Sequence, residues 1–210
     1  VHGDKGPDGP EDIRDDLYRK KSVMEHAIDL AQLMIPSSSG AARLTAGLPQ
    51  SYDKLAGCME LFFKDSARSC QDYSRNVFIM TRFERNNRVL DGLDKTIREV
   101  LLARTLIGHR ADDRCYPNDR NLWDNVCTYM FGCKYGIAVL EDIIAAEFNP
   151  NVALEYGFMR ALGKPTLLLK ERRFKPRADI LGTVWHEFDI LDLERSVSTA
   201  IEKWIDDIES

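Results

Sequence analysis

The feature that most restricts the fold is a change of periodicity near Tyr73. Before it, apolar residues recur at three- and four-residue steps. After it, short continuous apolar runs alternate with stretches of that helical spacing. The runs NVFIM (76–80), YGIAVLE (135–141) and TLLLK (166–170) are rich in β-branched, leucine and aromatic residues and lack polar alternation. A strand reads this way when both of its faces are buried. LIGHRAD (106–112) and VWHEFDI (184–190) are weaker strand candidates. Helices are expected over 87–104, 121–131, 149–163 and 193–208, the first facing inward with Leu90, Leu93, Ile97, Val100 and Leu101. Leu122, Trp123, Val126 and Met130 should form the buried side of the second. Asn149 suits an N-cap, Pro150 the first helical position, and Gly163 followed by Pro165 a helix end.

Strand–helix alternation of this kind predicts an α/β fold: a doubly wound, flavodoxin-like parallel sheet of about five strands, with an N-terminal helical extension. The chain divides accordingly. Residues 1–10, rich in Gly, Pro and charge, are expected to be a disordered lead-in. Residues 11–75 form the extension, with one amphipathic helix over 11–35, the breaker PSSSG, and a second helix starting near Ser51. Its apolar side would carry Leu55, Met59, Phe62 and Phe63, and the Phe62–Phe63 pair is the candidate association surface. Residues 76–210 form the α/β domain.

Composition narrows the function classes. Charged residues make up 30% and the formal net charge is −5, which disfavours nonspecific binding to nucleic acid or an anionic membrane. No apolar run reaches membrane-spanning length, and no signal-peptide core precedes the first helix. The five cysteines include no C-x-x-C pair and read as reduced thiols of a cytoplasmic protein. The four histidines are scattered, so no metal site is expected, and His109 and His186 read as structural. Phosphate-binding glycine loops of the P-loop and dinucleotide types are absent from the sequence.

In open α/β sheets ligands bind beyond the carboxyl ends of the strands, at the point where strand order reverses. That rule gathers Arg82 and Phe83, then Arg110, Asp112 and Asp113, then Glu141 and Asp142, and the helix carrying Asn151 and Glu155. Arg82 is a candidate phosphate clamp and Phe83 a stacking or core residue. Asp112 and Asp113 could bond ribose hydroxyls or sit in a solvated turn; Arg110 could bind beside them. Asn151 is first a capping residue. Glu155 either meets a ligand or points to solvent, and Gly157 either admits a close neighbour or eases helix packing on the sheet.

Taken in order, VFIM-x-x-F, RADD, LWDNV and NPNVALEYGFMRALGKPTLLL resemble the nucleoside 2-deoxyribosyltransferase-like and TIR-like nucleotide-binding proteins of bacteria. The resemblance runs over roughly 76–171, and its specific part is Asn-Pro-Asn-Val, Glu-x-Gly and Gly-Lys-Pro. It implies that Glu155 is the catalytic carboxylate of an N-glycosidase, with Glu141 or Asp142 as proton donor to the leaving base. NAD or a related nucleotide would be the substrate and no cofactor would be needed. A 2-deoxyribosyltransferase or a non-catalytic nucleotide sensor or scaffold are the alternatives. The resemblance further implies a homo-oligomer, or assembly with a sensor domain or protein, and a role as a defence effector. Relatives commonly carry a proline near Arg82 and lack the insertion DIIAAEF (142–148).

Overall fold

A computed structural model describes residues 50–84, 86–144, 149–175 and 184–210. The expected lead-in over 1–10 and helix over 11–35 lie outside these. Residues 47–210 form one compact unit. In chain order it contains α1 (Gln50–Lys64), β1 (Asn76–Met80), α2 (Arg88–Ala103), β2 (Ile107–His109), α3 (Leu122–Gly132) and β3 (Tyr135–Leu140). Then follow α4 (Pro150–Ala161), β4 (Thr166–Glu171), β5 (His186–Phe188) and α5 (Leu193–Glu209). The five strands among the described residues make one sheet in the order β2-β1-β3-β4-β5, every pairing parallel. This is the expected doubly wound, flavodoxin-like α/β architecture. No helix among the described residues is long and apolar enough to cross a membrane.

Register explains why the strand sequences are apolar on both sides. Val77 lies beside Tyr135 and Ile79 beside Ile137, while Ile137 and Val139 lie beside Leu167 and Leu169. These odd-numbered residues project to one face, where Leu93, Ile97 and Leu101 of α2 and Val197, Ile201 and Trp204 of α5 cover them. Even-numbered residues project to the other. There Phe78 stacks on Tyr129 of α3 at 5.9 Å between centroids, and α4 packs on β3 with further contacts to β1 and β4. A strand sandwiched in this way has no solvent face on which polar residues could alternate.

Three asparagines cap helices, Asn149 as expected and Asn87 and Asn121 at the expected helix starts. The Asn87 side chain accepts from the Val89 and Leu90 amides, Asn121 from Asp124, and Asn149 from Asn151. Gly163 follows α4 at φ 69°, a left-handed conformation that costs glycine little. Lys164, which at this helix end could complement the dipole of α4, instead folds inward. Its buried ammonium donates to the carbonyls of Met130 (2.6 Å), Phe131 (3.0 Å) and Cys133, capping the end of α3. Burial pushes this lysine down to about 8.

Two expectations about exposure are overturned. Phe62 is not an association surface: it is fully buried, edge-on to Phe63, His109, Tyr116 and Tyr129. Its ring occupies the space over Gly132, where an added Cβ would lie 2.7 Å from it. Helix α1 packs on α3 through such contacts. Trp123 and Leu122 are not core but 46% and 63% exposed, because the sheet-facing part of α3 is confined to Asn125–Gly132 and its first turn overhangs. His109 is structural, as expected. It is buried with Nε2 2.9 Å from Asn76 Oδ1, and burial pushes its pKa down to about 4, so the ring is neutral.

Candidate active site

The chain leaves β1 for β2 on one side and returns past β1 to β3 on the other. The order reverses between β1 and β3, so a crevice is expected where Thr81-Arg82 and Glu141-Asp142 leave the sheet. Helix α4 starts from this edge. Its buried residues are Val152, Glu155 and Met159, one stripe at three- and four-residue steps that faces the sheet. Glu155 therefore occupies a position that spacing would assign to an apolar residue.

Only 6% of Glu155 is exposed. No hydrogen bond or ion pair joins its carboxylate to another described residue. Burial raises its pKa from 4.5 to about 7, with no contribution from a charge among the described residues. An unpaired buried carboxylate of this kind costs stability, and such groups concentrate where chemistry needs them. Gly157 fits neither expectation. It is exposed, and a Cβ there would meet no described atom within 4 Å. It neither admits a neighbour nor permits packing on the sheet.

Arg82 spans the switch point. Its Nε donates to Glu141 Oε1 at 2.9 Å, tying the end of β1 to the end of β3. Glu141 is buried, and its second oxygen accepts the amides of Ile143 (2.7 Å) and Ile144 (3.4 Å). This glutamate shapes the loop after β3 and engages the arginine through its Nε. Asp142 beside it is half-buried, with no hydrogen bond to its carboxylate from the described residues. Phe83 is 42% exposed, which removes the core reading and leaves a ring that can stack.

The loop after β2 is held by its own charges. Arg110 makes a two-pronged contact with Asp112 (2.9 and 2.8 Å) and lies 3.8 Å from Asp94. Asp113 receives both terminal nitrogens of Arg98 at 3.1 Å and the Arg110 amide at 2.9 Å, which ties the loop to α2. Asn151 is exposed and contributes its amide to the Asn149 cap. The structure thus joins Arg82 to Glu141 and Arg110 to Asp112, and leaves Glu155 and Asp142 without ionic partners among the described residues.

One residue at the same edge escapes sequence reading. Glu171 is the last residue of β4, just beyond the predicted strand, and is 1% exposed. Its Oε1 is buried with no hydrogen-bond partner among the described residues. The sequence signal was a carboxylate two residues after the last leucine of the run. Among the described residues no cluster of three His, Cys, Asp or Glu could hold a metal ion. A cavity of about 470 Å³ bordered by His186, Arg195 and Lys203, and another of about 380 Å³ bordered by Lys54, Cys58 and Tyr116, do not include Glu155.

No protein-family model matches the chain. No curated protein matches it either. Among solved structures, a 2-desoxiribosyltransferase from Leishmania mexicana is similar, at 18% identity and a TM-score of 0.38. The match covers 46% of this chain and 64% of that one.

Proposed function

We propose that this chain is an enzyme that breaks the N-glycosidic bond of a nucleoside and passes the sugar to a second base or to water. The observation that carries the reading is the carboxylate of Glu155, buried on the sheet-facing stripe of α4 and without a partner among the described residues. The sequence resemblance around Asn149–Lys164 supports the same assignment.

Departure of a base leaves positive charge on the sugar C1′ and its ring oxygen. Ionised Glu155 meets that charge: a carboxylate oxygen bonds to C1′ while the C1′–N bond breaks and its electron pair leaves with the base. Asp142 is the candidate acid that protonates the departing nitrogen. A second base or water then attacks C1′, gives up a proton, and releases the Glu155 carboxylate unchanged. At a pKa of about 7 Glu155 is half ionised at neutral pH, and it gains from a cationic partner that burial has denied it. Phe83, whose ring is exposed just after β1, is the candidate that stacks on a base.

A nucleoside ranks ahead of NAD here because Arg82, the candidate phosphate clamp, spends its Nε on Glu141. The test is base release and base exchange by the intact chain and its Glu155→Gln variant. The panel holds ribonucleosides, 2′-deoxynucleosides and NAD, with and without an acceptor base, resolved by chromatography and mass. Product from nucleosides that disappears in the variant is the expected result. Nicotinamide release from NAD alone would replace the substrate. Turnover that survives in Glu155→Gln, or binding without turnover of any compound, would overturn the enzymatic assignment.

A further inference from the structure

Strands β3 and β4 end in the same device. Their register sets Leu140 beside Lys170, so the next residues, Glu141 and Glu171, are neighbours across the ladder. Each turns one carboxylate oxygen onto the amides two and three residues ahead. Glu141 Oε2 accepts from Ile143 and Ile144, and Glu171 Oε2 accepts from Arg173 (2.7 Å) and Phe174 (3.1 Å). The difference lies in the other oxygen. Glu141 Oε1 receives the planar N–H of Arg82, whereas Glu171 Oε1 is buried and receives nothing from the described residues.

The adjacent lysine does not fill the gap. Lys170 spends its ammonium on the carbonyls of Glu171, Arg172 and Phe174 and on Glu187 at 3.0 Å. A buried carboxylate oxygen with no donor is costly to keep, and buried polar atoms are nearly always bonded. Here it lies one strand from the switch point, at the edge where such sheets take ligands.

Resting on the nucleoside reading above, we propose that Glu171 is a specificity-determining residue whose Oε1 accepts an N–H from the ligand. The twin device names the chemistry: where Glu141 takes the planar N–H of a guanidinium, Glu171 takes the planar amino N–H of a nucleobase. Adenine, cytosine and guanine carry one; their amino-lacking counterparts do not. A sugar hydroxyl could supply the same kind of donor, and the experiment separates the two.

Calorimetry on Glu155→Gln protein, in which turnover is blocked, measures binding of three pairs that differ by one amino group. These are deoxyadenosine and purine deoxyriboside, deoxycytidine and its pyrimidinone analogue, and deoxyguanosine and deoxyinosine. A 3′-deoxy analogue forms the sugar arm. In at least one pair the amino compound is expected to bind roughly 10- to 100-fold tighter, the value of a hydrogen bond to a charged acceptor. Adding Glu171→Gln should erase that ratio. The Arg173 and Phe174 amides claim the new amide oxygen, so an NH2 donor replaces the acceptor at the Oε1 position.

Equal affinities within every pair in the Glu155→Gln protein overturn the inference without any change at Glu171. A ratio that persists in a folded double variant overturns it as well. Loss of discrimination against the 3′-deoxy compound instead moves the contact to the sugar and overturns the base assignment. If neither protein binds any nucleoside, the functional reading falls and this inference falls with it.

Discussion

Replacing Glu155 by glutamine should stabilise the protein, and by an amount that depends on pH. Burial raises the carboxyl from its ordinary 4.5 to about 7. The folded chain therefore holds this proton more tightly than the unfolded chain. Below pH 4.5 both states are protonated and Glu155 exerts no penalty. As pH rises the unfolded state ionises first, and stability drains away until the folded group also ionises near 7. Each pH unit in that window is worth about 1.4 kcal/mol, so the full penalty above pH 7 is about 3 kcal/mol.

Glutamine has the same shape and does not titrate. Its own fixed cost of burying an amide is the same at every pH and cancels when the variant's gain at pH 8 is compared with its gain at pH 4.5. The difference between those two gains should be about 3 kcal/mol, measured by urea unfolding of both proteins. In thermal melts it corresponds to roughly 6–12 °C for a protein of this size. A gain that is flat across pH 4.5 to 8 would show that the carboxylate is solvated or paired in the folded state. The same chain would then lack the unpaired charge on which the catalytic assignment stands. Stability gained with activity lost is the behaviour of a residue kept for function at the expense of the fold.

The same titration predicts the kinetics. If ionised Glu155 attacks C1′, kcat/KM should climb with pH and level off with an apparent pKa near 7, whereas a profile that falls through 7 would make the residue a proton donor. Arg82→Met removes the cation from buried Glu141 and should cost about 3 kcal/mol in denaturant unfolding, as loss of one partner of a buried pair does; a change below about 0.5 kcal/mol would mean Glu141 is not buried as a charge. Gly132→Ala places a methyl group 2.7 Å from the Phe62 ring and should cost about 1–3 kcal/mol, recovered in part by Phe62→Leu. Equal costs in the Phe62 and Phe62→Leu backgrounds would refute that contact.

How much of this was legible follows from the range of the interactions. The strands β1, β3 and β4 declare themselves because burial on both faces leaves them continuous apolar runs with no solvent face on which polar residues could alternate. The caps at Asn87, Asn121 and Asn149 are legible because donor and acceptor lie two or three residues apart. Even the inward placement of Glu155 is written in its spacing from Val152 and Met159, although a lone carboxylate in such a stripe reads equally well as a residue at the pocket mouth. The Arg82–Glu141 pair is not legible, because its partners are 59 residues apart and meet only once β1 and β3 are neighbours. Phe62 misleads for the same reason: the glycine that receives it lies on α3, 70 residues further on. Glu171 was hidden by a strand that runs one residue longer than expected.

The lysine that caps α3 has a mechanical consequence for the helix before it. Lys164 sits just past the far end of α4 and is held by three carbonyls of α3 and the α3–β3 junction. Helix α4 is thus fastened at its far end as well as along the stripe that packs on the sheet. Protection should fall with distance from that anchor, from buried Met159 through Glu155, more than one turn nearer to it than exposed Asn151 is. Amide exchange that is slow near Met159 and quickens stepwise toward Asn151 would display that gradient. Lys164→Met, by freeing that end, should flatten it and loosen the depth at which the carboxylate is held.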